Sequence, residues 1–126
     1  MTDEVQPTRD LERQRPIPSV WREKISEIAD AIADEDYRLS KLRGVRPIDD
    51  KRANAIKGNI AAYGAKLRPL PDDTWYTSVC HWMNGYWDAL IDLFTAEEGA
   101  SDLVLSLRVY EVDGKYDFEV RSVHVP

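Results

Sequence analysis

Few residues in this chain are equipped for chemistry, and most of them sit in its second half. Cys80 and His81 are adjacent, and a thiol next to an imidazole suggests a nucleophile with its base. Neighbouring residues on a strand point to opposite faces, however, so these two cannot act on each other, and Cys80 reads as a small buried hydrophobe. His81 has a better partner in Asp88. Placed opposite it across a hairpin, this carboxylate would hold the imidazole tautomer and raise its pKa. No third member or nucleophile accompanies the pair, so a catalytic role for His81 and Asp88 ranks below a structural or interface role. His124 falls on the inferred face of Phe118 and Val120 and reads as a core or rim histidine.

Asp92, Glu97, Glu98 and Asp102 gather around Gly99. Such carboxylates suit hard cations, but the alternating acidic spacing of a dedicated calcium loop is missing, so no metal is expected. Nor is there a glycine-rich phosphate loop, a zinc-ligand spacing or a nucleophile elbow, so no cofactor is expected. The segment reads instead as an exposed recognition loop whose turn is held locally by Thr95, Ser101 and Asp102. The candidate binding residues are therefore Asp88, Asp92, Glu97, Glu98 and Asp102. Trp75, Trp82 and Trp87 are core candidates; any part of that group left exposed beside acids would suit the centre of a protein interface.

The elements that must position these residues follow from two turn dipeptides, Asn84-Gly85 and Asp113-Gly114, each set between aromatic and β-branched runs. Both fit two-residue hairpin turns that need positive φ. The first predicts Trp82 opposite Trp87, His81 opposite Asp88 and Cys80 opposite Ala89. One face then collects Tyr76, Cys80, Trp82, Trp87, Ala89, Ile91 and Leu93, and the other collects Thr77, His81, Asp88 and Asp92. The second turn pairs Val109 with Phe118, Leu107 with Val120 and Leu105 with Ser122 on one face. On the other it pairs Arg108 with Glu119, Tyr110 with Asp117 and Ser106 with Arg121. Residues 86–98 also fit a helix, with Leu90, Phe94 and Glu97 at helical spacing, but Asn84-Gly85 makes a poor first turn and a strand is favoured.

Upstream, Trp21, Ile25, Ile28 and Ile32 form one apolar stripe at helical spacing. They predict a helix over 19–34 with Ser19 as its N-cap. A second helix over 50–63 is capped by Asp49 or Asp50, buries Ile56, Ile60 and Tyr63, and ends at Gly64. Residues 37–48 read as a short helical turn plus loop. Residues 1–15 are polar and without periodicity, a tail without fixed structure. The expectation is a single α+β domain over 16–126, with two N-terminal helices packed on one face of a four-stranded antiparallel β-meander over 74–125.

At 126 residues the chain is long enough for a core without staples, and a single cysteine excludes an internal disulfide. No run is long and apolar enough for a membrane span and no signal-peptide pattern opens the chain, so the expectation is a cytoplasmic protein that does not engage membranes. Its net charge is −6, unevenly spread: residues 72–126 hold 11 acidic against 3 basic residues, whereas residues 36–68 carry a local +6. Arg38, Lys41, Arg43, Arg46, Lys51, Arg52 and Lys57 form that basic band, but a pI of about 4.9 argues against nucleic-acid binding.

Three stretches together resemble a family of small, uncharacterised bacterial proteins, a domain of unknown function: N-I-x-x-Y-G-x-x-L-x-x-L-P at 59–71, T-W-x-x-S at 74–78, and I-D-L-x-T-x-E-E-G-x-S-D-L-x-L at 91–105. The last is the most specific. The resemblance implies no activity and transfers no catalytic residue. Small acidic bacterial proteins of this kind are similar to immunity proteins, which cover a toxin's active site. The leading expectation is thus a non-enzymatic protein-binding module, of immunity or inhibitor type, offering an acidic sheet face and loop to a basic partner such as a toxin. The alternative is a cone-shaped α+β domain, like the nuclear-transport-factor-like superfamily, enclosing His81 and Asp88 in a pocket. A third reading is a homodimer formed through sheet edges or the aromatic face.

Overall fold

The structure is a computed structural model, and it describes residues 4–126. Strand β1 (Arg15–Pro16) leads into helix α1 (Ser19–Ala33), and helix α2 (Asp50–Tyr63) follows a loop. Strand β2 (Leu67–Arg68) and a 3-10 turn (Asp72–Tyr76) come next. The long strands then follow in sequence: β3 (Val79–Trp82), β4 (Trp87–Thr95), β5 (Gly99–Val112) and β6 (Lys115–His124). They form an antiparallel sheet ordered β1-β3-β4-β5-β6, with β2 also paired to β4. The four-stranded meander is present, and two short strands enlarge it to six.

Helix α1 packs its stripe, Trp21, Ile25, Ile28 and Ile32, against buried Trp87, Ala89, Ile91, Leu105, Leu107, Val109, Phe118 and Val120. Trp21 meets Trp87 and Tyr116 edge-on at ring-centroid distances of 5.2 and 5.6 Å, geometry that aromatic quadrupoles favour. Ala53 and Ile56 of α2 complete this core, with Ile60 and Tyr63 half-buried beside it. Asp49 caps α2 by accepting from the Arg52 N–H at 2.8 Å, and Gly64 ends it at φ 82°. The opposite face of the sheet carries no helix.

Five expectations need correction. Ser19 does not cap α1; Pro18 holds that position, and Ser19 makes a reciprocal pair with Val5 instead. Its N–H donates to the Val5 carbonyl at 2.9 Å while its Oγ accepts from the Val5 N–H at 2.8 Å. Residues 74–78 are not strand but 3-10 turn and connector, which leaves Tyr76 87% exposed rather than on the inner face. Residues 37–48 contain no helical turn; Val45 bridges to Phe118 instead.

The remaining two corrections have one cause. Opposite Ser106 and Leu107, β6 carries an extra residue, Arg121, so Leu105 faces Val123 and Ser106 faces Ser122. A bulge shifts everything beyond it by one position, which brings Val123 into the core and turns His124 out. There the Nδ1 of His124 lies 2.7 Å from the Ser122 Oγ.

Residues 4–14 make specific contacts beyond those expected of a tail; residues 1–3 lie outside the described residues. The Thr8 carbonyl accepts from the Trp87 indole N–H at 3.0 Å, and Arg9 lies 4.8 Å from the Trp82 ring centroid and 2.9 Å from Glu111. The segment straps the open end of the aromatic cluster before β1 joins β3.

Candidate functional site

The C-terminal ends of α1 and α2 meet the β4–β5 turn around a crevice of about 680 Å³. Helix α1 stops at Asp34, and Glu35 adopts φ 66°, a left-handed conformation that reverses the chain. The Glu35 and Asp36 N–H groups bond back to the Ile32 and Ala31 carbonyls. Neither helix carries a basic residue in its last turn. The partial negative charge at both C-termini is therefore left without a side-chain counterion there.

The turn is clamped against α2. Leu67 and Arg68 pair with Thr95 and Phe94, the Ala96 N–H reaches the Lys66 carbonyl at 2.9 Å, and Glu97 accepts from the Lys66 N–H at 3.1 Å. The Tyr63 hydroxyl donates to the Glu98 carboxylate at 2.7 Å and accepts from the Asp102 N–H at 3.1 Å. Its hydrogen bond to Glu98 raises the phenol pKa above the usual tyrosine value. Asp34, Glu35 and Glu97 line the crevice together with Lys57 and Lys66, and Ile32, Tyr37, Ile60 and Leu67 supply apolar wall. Neither lysine forms an ion pair among the described residues.

The structure divides the sequence-derived candidates between two places. Glu97, Glu98 and Asp102 sit together at the turn. Asp88 and Asp92 alternate with buried Trp87, Ala89 and Ile91, so they project from the face opposite the helices. Asp92 accepts from the Thr77 hydroxyl and Asp88 lies 3.7 Å from Arg108. Further along that face Arg46 reaches Asp117 at 2.6 Å and Glu119 at 3.5 Å. Acidic and basic side chains thus interleave on the bare sheet face.

His81 and Asp88 are opposite in register, as expected, but no hydrogen bond joins them. The His81 Nε2 lies 2.7 Å from the Leu11 carbonyl, which accepts from it in the Nε2–H tautomer. Burial pushes the Cys80 thiol up to about 11 and its Sγ faces the Pro16 carbonyl at 3.6 Å, an arrangement unsuited to a thiolate nucleophile. Among the described residues no group of three or more His, Cys, Asp or Glu side chains is placed to hold a metal ion. Among the described residues no helix is long and apolar enough to cross a membrane.

In the sequence Asp34 and Glu35 mark only the end of the first helix, and Tyr63 reads only as core. Nothing local to 34–35 signals that Glu97 lies nearby in space. A family model described as Domain of unknown function (DUF7668) matches residues 29–126. The chain belongs to the DUF7668 family. The matched portion of this DUF7668 protein holds α2, all four long strands and the last turn of α1. No curated protein and no solved structure matches the chain.

Proposed function

We propose that this DUF7668 protein is a non-enzymatic protein-binding module that takes a basic side chain of its partner into the crevice between the two helix C-termini and the β4–β5 turn. The observation that carries this is the convergence of Asp34, Glu35 and Glu97 with two helix C-termini on one partly apolar cleft, where the three carboxylates outnumber Lys57 and Lys66. A lysine or arginine matches it, because the alkyl stem packs on Ile32, Ile60 and Leu67 while the cation meets carboxylates and carbonyls. Relative to the sequence expectation, Glu97 of the acidic loop is retained and the sheet face is set aside, since Arg46 and Arg108 interleave there with Asp117, Glu119 and Asp88. An immunity- or inhibitor-like protein covering a basic partner is the form of this activity that suits a small chain of net charge −6.

The test is capture on immobilised protein at low salt from an extract of the source cells, alongside an Asp34→Lys/Glu97→Lys double variant. A basic protein held by the parent, released by salt and bound at least tenfold more weakly by the variant is expected. Equal retention by both would overturn the assignment of the crevice.

A further inference from the structure

The bare face of the sheet contains a hollow of about 390 Å³ whose charge runs against that of the whole protein. Among its lining side chains are Arg108 and Arg121, with Asp88 as the one carboxylate, in a chain of net charge −6. His81 and Ser106 add an imidazole and a hydroxyl, and Leu90 contributes an exposed apolar surface.

Two features put these guanidinium groups here. Arg108 projects outward in register between Asp88 and Glu119, its guanidinium carbon 4.5 Å from the Tyr86 ring centroid. Arg121 is the extra residue of the β6 bulge, between Val120 opposite Leu107 and Ser122 opposite Ser106. It reaches Glu119 at 3.3 Å, and Glu119 does not line the hollow. Each guanidinium thus has one carboxylate neighbour, Asp88 at 3.7 Å from Arg108 and Glu119 at 3.3 Å from Arg121, and five N–H donors apiece exceed what one such contact uses. Guanidinium forks are the geometry that carboxylates fill bidentately, and the volume falls in the range of small-ligand sites.

We propose that this hollow binds a carboxylate, carried either by a small organic acid or by the C-terminus of a peptide. It lies on the opposite side of the sheet from the cationic-side-chain crevice and has the opposite charge preference, so the two assignments stand or fall separately.

The experiment is a titration of isotope-labelled protein followed through the backbone amides of residues 79–81, 88–90 and 106–108. The probes are benzoate, benzamide, and one short apolar peptide with a free or an amidated C-terminus. Saturable shifts with benzoate, at least tenfold weaker with benzamide, are expected. Arg108→Gln and Arg121→Gln should each weaken benzoate at least tenfold, and Asp88→Asn should tighten it severalfold by removing the competing anion. Tighter binding of the free-ended peptide than of benzoate would support the proposal with a peptide terminus as the source. The reverse order would support it with a small acid as the source. Equal response to acid and amide, no response to either, or indifference to both arginine substitutions would overturn it.

Discussion

At the scale of single residues, the buried polar groups are the most exacting part of this molecule. Thr74 is fully buried, and its hydroxyl donates to the Asp92 carbonyl at 2.6 Å while lying 3.0 Å from the Ser78 Oγ. Thr74→Val keeps the shape but strands those partners, so it should cost about 1–3 kcal/mol, a loss that urea unfolding with an unchanged m-value would show and that Thr74→Ser should largely avoid. Cys80 permits a second check. With its thiol pushed up to about 11, only about a thousandth is thiolate at pH 8, so a disulfide reagent should label native protein far more slowly than urea-unfolded protein. Tyr63 responds to pH in the opposite sense from a carboxylate. Its neutral phenol donates to Glu98, so the tie between α2 and the turn is complete below the unfolded tyrosine pKa and is lost as pH rises through the raised folded value. Tyr63→Phe should remove one late-titrating tyrosine from the alkaline absorbance curve.

At the scale of elements, what can be read in the sequence is what local chemistry determines. Asn84 and Asp113 adopt φ of 59° and 52°, as the hairpin turns require, and Trp82–Trp87, His81–Asp88 and Val109–Phe118 pair in the expected register. Both helices keep their expected limits to within a residue, because an apolar stripe and an Asp–Gly bracket act over a few positions. The bulge was not readable. Ser106, Arg121 and Ser122 are all compatible with either pairing by type, and only the burial of Val123 decides between them. The site was half readable for the same reason: Glu97 and Glu98 announce themselves beside Gly99, whereas their meeting with Asp34, Glu35 and Tyr63 depends on how two helices end. Deleting Arg121 supplies a direct check. Without the extra residue the strand can run regularly with Leu105 still opposite Val123, so the fold and that cross-strand contact should survive, visible as a retained nuclear Overhauser effect between the two side chains.

At the scale of the whole molecule, the sheet's outer strands are shielded from pairing with a second chain. Along β6, the Phe118 N–H donates to Gly44 and its carbonyl accepts from the Arg46 N–H. Farther along, the Val120 and Val123 carbonyls accept from the Arg52 and Asn59 side chains. On the other side β1 covers the start of β3, and Pro16 has no N–H to offer. Natural sheets block their edges in this way to avoid edge-to-edge association. The protein should therefore run as a monomer at micromolar concentration. An Arg52→Ala/Asn59→Ala variant, with two strand carbonyls uncovered, should shift toward larger species in sedimentation while the parent does not.

The family boundary at residue 29 falls inside α1, and its position has a practical consequence for anyone dividing this chain. A fragment begun there would discard Ile17, Trp21, Ile25 and Ile28, each completely buried, together with the strap that closes over Trp82 and Trp87. The part recognisable by descent is thus smaller than the part that can stand alone. Its sheet would present Trp87, Leu107 and Phe118 to water and seek cover from the nearest apolar surface, so the shortest piece worth expressing begins well upstream of what the family defines.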